Sequence, residues 1–219
     1  MILNGTPIHA VIFDMDGVLI DSEPLWKIAE VAAFATAGIQ ITAKELEQTV
    51  GLRIDEVVEF WCQQKGANSK LKEKIISGIM SEMVRLIFEK GEPLSGVYEA
   101  LDFFKAAGVK IGLATSSYEV LLNATLKKLE ISHFFNVALS AENLPYGKPH
   151  PEIYLQTAKA LNVSPQNCLV IEDSLNGVIS GKSAKMAVVA VPENSHSMNE
   201  KLILADYIIS DLTELFELF

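Results

Sequence analysis

Two pairs of acidic residues each follow a short apolar run of the sequence. Asp14 and Asp16 come directly after HAVIF, and Glu172 and Asp173 come directly after CLVI. Residues two apart in an extended segment point to the same side, and Gly17 permits a sharp turn. Carboxylates brought together repel one another unless a cation lies between them. A donor set with neither Cys nor His favours Mg²⁺ over zinc.

Hydroxyl groups and a lysine lie at comparable positions. Thr115 and Ser116 end the apolar run of IGLATSS, and Lys148 stands in YGKPHP. Hydroxyls and amides at a strand-to-helix junction can bind phosphate. Taken singly, these features also fit turns, helix caps and a solvated loop lysine. Together they indicate phosphoryl transfer, which depends on charge neutralisation and positioning, and in which a carboxylate can act as the nucleophile.

The elements that must position these residues alternate between strands and helices. Helical patterns separate most of the apolar runs, and this alternation predicts a doubly wound (Rossmann-like) α/β fold with a parallel sheet. Ligands of such sheets bind beyond the carboxyl ends of the strands, so we expect the acidic pairs to converge there. The predicted strands are His9–Phe13, Lys110–Ala114, Val137–Leu139, Cys168–Ile171, Met186–Val191 and Tyr207–Ile209, and the helices between them include Ser95–Ala107 (capped by its serine), Glu119–Leu129 and Pro151–Leu161.

One long insertion interrupts this alternation. From Asp21 to about Lys90 the sequence shows only helical patterns, which is too much material for a single crossover. We therefore expect an all-helical cap domain at residues 22–91, inserted into a discontinuous α/β core formed by residues 1–21 and 92–219. The predicted cap helices are Pro24–Thr36, Ala43–Thr49, Ile54–Lys65 and Leu71–Glu89.

Composition limits the classes of partner. The 219 residues carry a net charge of −10 and no basic run, so nucleic acid and anionic membrane are unlikely ligands of this surface. No apolar stretch is long enough to span a bilayer, and the N-terminus lacks the cationic flank of a signal peptide. We expect a cytoplasmic monomer that acts on a small molecule, with two free thiols, Cys62 and Cys168.

Four motifs carry a family resemblance. DMDGVLIDS, LATSS, GKPHP and EDS, in this order, resemble the motifs of the haloacid dehalogenase-like hydrolases, and the insertion after the first motif is similar to the helical-cap, β-phosphoglucomutase-like subfamily. DSEPLW, GLRIDEVV, LPYGKPHPEIYL and EDSLNGV resemble the bacterial hexitol and 2-deoxyglucose-6-phosphate phosphatases. The resemblance implies a Mg²⁺-dependent phosphatase of hexose or hexitol phosphates that forms an aspartyl phosphate.

The resemblance also assigns catalytic and metal-binding roles. Asp14 resembles the nucleophile and a Mg²⁺ ligand, and Asp16 the general acid/base whose backbone carbonyl contacts the metal. Asp173 matches another metal ligand, and Glu172 is similar to a residue that reaches the metal through water.

The remaining roles concern the substrate. Thr115 and Ser116 resemble the phosphate-binding pair, and Lys148 the lysine that steadies both the nucleophile and the phosphate, which Asp14 and Asp16 also contact. Arg53, in GLRIDE, resembles a cap arginine that contacts substrate in sugar-phosphate mutases.

Two alternatives remain open at this stage. A β-phosphoglucomutase-type mutase shares the motifs, but Trp26 stands where that branch has a cap histidine, which favours hydrolysis. The competing interpretation of Trp26 is a helix-packing aromatic residue. A receiver domain of a signalling protein has similar polar groups, but its acidic pair precedes the phosphorylated Asp, and the helical insertion would be unexplained.

Overall fold

A computed structural model describes residues 1–192 and 200–219 of the chain. A short antiparallel hairpin of β1 (Ile2–Leu3) and β2 (Thr6–Pro7) precedes a six-stranded parallel sheet. The order across this sheet is β5-β4-β3-β6-β7-β8. Its strands are β3 (Ala10–Phe13), β4 (Lys110–Thr115), β5 (Val137–Ser140), β6 (Cys168–Glu172), β7 (Ala187–Ala190) and β8 (Tyr207–Ile208).

Four α-helices, all within residues 23–90, follow β3 in the chain. The longest contains a stripe of buried apolar residues at helical spacing, including Ile75, Ile79, Met83 and Leu86, which is typical of a helix with one packed face. A capping box between Thr42 and Glu45 begins one of the shorter helices. The four are α1 (Glu23–Thr36), α2 (Ala43–Leu46), α3 (Ile54–Gln64) and α4 (Lys72–Lys90).

Helices cover both faces of the sheet. The side chains of β3 alternate between two apolar clusters, as a strand with a period of two requires. Val11 and Phe13 join the cluster that contains Phe104, whereas Ala10 and Ile12 join the cluster that contains Tyr154. The covering helices are α5 (Val97–Ala106), α6 (Glu119–Lys128), α7 (Glu152–Leu161) and α8 (Leu175–Ser183).

These features confirm the predicted fold class, an α/β sheet with an inserted helical segment. Element ends differ from the predictions by a few residues. The expected serine cap of α5 is wrong: Gly96, with φ of +81°, is the residue before the helix, because the chain turns there through the left-handed region that glycine adopts without strain. The hairpin β1–β2 and the C-terminal 3₁₀ helix Leu212–Leu218 were not predicted. Within the described ranges, no helix is long and apolar enough to cross a membrane.

Candidate active site

The acidic pairs meet at the carboxyl edge of the sheet because β3 and β6 are neighbours. Phe13 is in register with Ile171, and the Asp14 N–H donates to the Ile171 carbonyl over 2.9 Å. One carboxylate oxygen from each of Asp14, Glu172 and Asp173 lies within 4.8 Å of the others. The register of two central strands therefore concentrates three negative groups at one point.

Lys148 supplies a positive charge to this cluster. Its Nζ donates to Asp14 Oδ1 over 2.7 Å, to Glu172 Oε1 over 2.6 Å and to the Ala114 carbonyl over 3.0 Å. The residue is 5% exposed, so water screens these interactions weakly. Among the described residues, the ion pairs of the cluster are those of Lys148 with Asp14 and with Glu172. One positive charge therefore faces three carboxylates.

The pKa values report this excess of negative charge. Burial raises the pKa of Asp14 to about 7, against the opposing effect of Lys148 and with the help of Glu172 and Asp16. Burial and the charges of Glu172 and Asp14 raise the pKa of Asp173 well above its usual value. Burial also disfavours the charged form of Glu172, but Lys148 and hydrogen bonds outweigh it and lower the pKa of that carboxyl.

Glu172 is held by hydrogen bonds on both of its oxygens. Oε1 accepts from Lys148 and from the Tyr154 hydroxyl over 2.6 Å. Oε2 accepts from the N–H groups of Asp173 and Ser174 and from the Ser174 hydroxyl. A carboxylate offers about four lone-pair sites, so hydrogen bonds within the protein already saturate this one.

Two glycines make room for the acidic side chains. A Cβ on Gly17, whose φ is +70°, would lie 2.2 Å from Asp173 Oδ2. A Cβ on Gly177 would lie 1.8 Å from Glu172 Cδ. Both distances are far below van der Waals contact, so each glycine is required by the close approach of a carboxylate.

Asp16 faces the inserted helices. Its Oδ1 accepts from the Ser22 hydroxyl over 2.6 Å and from Trp26 Nε1 over 3.1 Å, and its Oδ2 accepts from the Ser117 hydroxyl over 2.6 Å. Ser22 and Ser117 were not predicted as partners of Asp16. Each is the last residue of a motif, DMDGVLIDS or LATSS, where a hydroxyl is equally common in a turn or a helix cap.

Thr115 and Ser116 both line the crevice beside Asp14. Thr115 Oγ1 accepts from the Ser117 N–H over 3.0 Å, which leaves its own hydroxyl proton to donate. Ser116 Oγ is buried and has no hydrogen-bond partner within residues 1–192 and 200–219. Buried hydroxyls are rarely left unpaired, so Ser116 indicates a polar ligand at this end of the crevice.

The crevice encloses about 160 Å³ and has two walls. The sheet edge forms one wall, with Asp14 and Lys148. The inserted helices form the other, with Trp26, Glu30 and Arg53. Burial raises the pKa of Glu30 to about 7. Pockets for drug-sized ligands have volumes of roughly 300–1,000 Å³, so this crevice suits a smaller molecule.

Arg53 is 9% exposed and bridges the two walls. Its Nε and Nη2 donate to Asp55 over 2.6 and 2.8 Å. Its Nη1 donates to the carbonyls of Ala141 and Leu144, beyond β5, over 3.1 and 2.8 Å. Four of its five N–H groups thus donate hydrogen bonds within the protein. The structure shows Arg53 as a bridge between the two walls, and its contact with the substrate stays a prediction.

The donor set fits a hard divalent cation. Asp14 and Asp173 present carboxylate oxygens with raised pKa values, and oxygen ligands without Cys or His are those of Mg²⁺. A cation beside them would offset the excess negative charge that Lys148 leaves uncompensated.

Several known proteins are similar to this chain. A family model described as haloacid dehalogenase-like hydrolase matches residues 8–185, insertion included. Hexitol phosphatase B of Escherichia coli K12 is 41% identical over 95% of this chain and 94% of its own length. The phosphorylated carbohydrates phosphatase of Thermotoga maritima is 33% identical over 88% of each chain. The crystal structure of a putative β-phosphoglucomutase from Thermotoga maritima matches with a TM-score of 0.75 and 31% identity, over 97% of this chain and all of that one.

We expect Gly177→Ala to displace Glu172 and to destabilise the protein by about 1–3 kcal/mol, the usual cost of overpacking. Gly78→Ala, also inside a helix, is the matched control: its Cβ would lie 3.4 Å from that of Ala33, and it should be neutral or stabilising by up to ~1 kcal/mol. Urea unfolding of both variants measures the difference. Equal free energies of unfolding for the two variants would show that the Glu172 side chain can shift without loss of stability.

The pH dependence of stability provides a second prediction. In EDTA, the folded state holds protons on Asp14 and Glu30 up to about pH 7, whereas the unfolded chain releases them near pH ~4. Their contribution to stability is therefore lost as the pH rises from about 4 to about 7. The pKa of Glu172 is lowered, so this carboxyl affects stability only at pH values below the usual pKa of a glutamate and does not oppose this loss.

Urea unfolding at pH 5.5 and 8 checks this prediction. Asp14→Asn and Glu30→Gln should each reduce the loss of stability between the two pH values, and Glu73→Gln, at an exposed position, should not. An unchanged loss in both of the first two variants would contradict the assigned pKa shifts.

Proposed function

Because this chain belongs to the haloacid dehalogenase-like hydrolase family, we propose that it is a Mg²⁺-dependent phosphatase of small sugar phosphates. The proposed class is hexose or hexitol phosphates, such as 2-deoxyglucose 6-phosphate. The observation that carries the proposal is the arrangement of Asp14 and Lys148 below a crevice that also contains the unpaired Ser116 hydroxyl. The names of the Escherichia coli and Thermotoga maritima relatives support this substrate class.

Asp14 and Asp16 divide the chemistry. A carboxylate oxygen of Asp14 attacks phosphorus, the bond from phosphorus to the sugar oxygen breaks, and Asp16 donates a proton to the departing alcohol. Asp16 then takes a proton from water, whose oxygen attacks the phosphorus of the aspartyl phosphate. Inorganic phosphate leaves and the Asp14 carboxylate is restored. Hydrogen bonds from Ser22, Trp26 and Ser117 orient the Asp16 carboxylate for both transfers.

Other residues hold the phosphoryl group. Thr115 and Ser116 would donate hydroxyl hydrogen bonds to its oxygens, and Lys148 would share its charge between the phosphoryl group and Asp14. Asp14, Asp173 and the backbone carbonyl of Asp16 would hold Mg²⁺, with Glu172 reached through water. The bound ion would supply positive charge against the phosphoryl oxygens and the acidic cluster.

We assign residues 22–91 to a cap domain and residues 1–21 and 92–219 to the catalytic core, of which 193–199 lie outside the described residues. Closure of the cap would exclude water while Asp14 is phosphorylated, and reopening would admit it. The substrate is a small phosphate monoester, nucleic acid and membrane are not partners, and the protein acts as a monomer.

A sugar-phosphate mutase is the second candidate, since a solved relative carries that name. Trp26 favours hydrolysis over this activity. Its indole N–H donates to Asp16 but is a donor only, so it cannot relay protons as a histidine would. A receiver domain is disfavoured because the family model spans the helical insertion. Faster conversion of glucose 1-phosphate to the 6-phosphate than release of phosphate would favour the mutase.

A phosphatase assay with and without metal tests the proposed function. Phosphate release from 2-deoxyglucose 6-phosphate should require Mg²⁺, and Ca²⁺ should substitute poorly because it prefers longer bonds and more ligands. Asp14→Asn should abolish both turnover and the phosphoenzyme, since an amide is not a nucleophile. Asp16→Asn should lower kcat by about 10²–10⁴-fold. Full activity in EDTA, or near-normal turnover of Asp14→Asn, would refute the proposal.

Replacement of Arg53 tests the cap. Arg53→Ala removes the bridge to the Ala141 and Leu144 carbonyls, so closure over a sugar should weaken and kcat/KM for sugar phosphates should fall. The loss should be smaller for p-nitrophenyl phosphate, which the core wall holds through its phosphate. Steady-state kinetics on both substrates makes the comparison, and equal losses would show that Arg53 supports the fold or the core site.

A further inference from the structure

Glu30 is a buried carboxylate in the crevice, and no other described residue pairs with it. It lies on α1, is 8% exposed and lines the crevice. Across residues 1–192 and 200–219, no hydrogen bond or ion pair reaches its carboxylate. Burial alone accounts for its pKa of about 7, so no neighbouring cation compensates its charge. Buried carboxylates are normally paired and hydrogen-bonded, and an unpaired one facing a cavity indicates that a ligand supplies the donors.

The position of Glu30 follows from the helix that carries it. Trp26, four residues earlier, donates to Asp16, the proposed general acid. Residues four apart lie on the same helix face, about 6 Å apart along the axis, and both line the crevice. A substrate with its phosphate at Asp14 and its ester oxygen at Asp16 would thus extend its carbon chain along this face towards Glu30.

The two cations of this wall are already neutralised. Lys27 forms an ion pair with Glu23, and Arg53 forms one with Asp55. Above about pH 7, where its carboxyl is ionised, Glu30 therefore adds a net negative charge to the cap side of the crevice. Such a wall accepts hydrogen bonds from hydroxyl groups and repels anions.

We propose that Glu30 is a specificity residue that accepts hydrogen bonds from the hydroxyl groups of the substrate's carbon chain and rejects phosphate esters whose chain carries a second anionic group. This inference rests on the proposed phosphatase function and adds the selection of the alcohol portion. The selected class is neutral polyol phosphates, and sugar-acid phosphates are excluded.

The matched substrates are sorbitol 6-phosphate and 6-phosphogluconate, which differ only in a terminal CH₂OH or carboxylate. At pH 8 with Mg²⁺, wild-type kcat/KM should favour sorbitol 6-phosphate. Glu30→Gln keeps the shape but removes the charge, so it should reduce this preference by at least tenfold, in keeping with the strength of hydrogen bonds to charged groups. KM for sorbitol 6-phosphate should rise, and kcat/KM for 6-phosphogluconate should increase.

Two further variants separate charge from folding. Glu30→Asp keeps the negative charge and should still reject 6-phosphogluconate, even if its shorter side chain weakens the binding of sorbitol 6-phosphate. Glu73→Gln, on the exposed face of α4, should keep the wild-type ratio. Cooperative thermal unfolding verifies that each variant is folded.

The role of Glu30 and the phosphatase activity can fail separately. If the wild type hydrolyses sorbitol 6-phosphate but Glu30→Gln keeps its preference, or if the wild type accepts both substrates equally, the role of Glu30 is refuted and the phosphatase stands. If the wild type releases phosphate from neither sorbitol 6-phosphate nor p-nitrophenyl phosphate, the proposed function and this inference fall together.

Discussion

Mutual repulsion of closely spaced carboxylates is the constraint on which this structure depends. Asp14, Glu172 and Asp173 approach within 4.8 Å because their strands are neighbours in the sheet. Lys148 and the Tyr154 hydroxyl compensate part of that charge, and Gly177 leaves the space that Glu172 occupies. The same concentration of negative charge that costs folding free energy creates the demand for a cation, and so links stability to catalysis.

The inserted helices complete a site that the sheet edge leaves half open. Asp16 takes hydrogen bonds from Ser22 and Trp26 on the insertion side and from Ser117 at the end of β4. In the proposed function, the core wall would hold the phosphate, which every substrate of this class shares. The cap wall would face the alcohol portion, which differs between substrates, so we expect selectivity from residues such as Glu30 rather than from the four motifs.

Some motif residues could be predicted because a charged side chain beside a buried strand is energetically unfavourable unless it has a partner. A carboxylate at the end of an apolar strand loses hydration unless it has partners, so Asp14 and Asp173 stand out against their neighbours. Lys148 lies in a loop and stands out only in combination with them. Thr115 and Ser116 stood out less, because a helix cap explains a hydroxyl equally well. Glu30 was not predicted at all, since one glutamate in an amphipathic helix has the same pattern whether it faces water or a crevice.

By itself, the amino-acid sequence determined the α/β fold class, the helical insertion and the acidic residues that follow the strands, because hydrophobic periodicity and chain order are local properties. Only the tertiary structure decided which groups meet across long separations in the chain. Arg53 reaches the carbonyls of Ala141 and Leu144, and the Ser117 hydroxyl donates to Asp16. Such contacts depend on how helices and strands pack in three dimensions, and no spacing within a single segment encodes them.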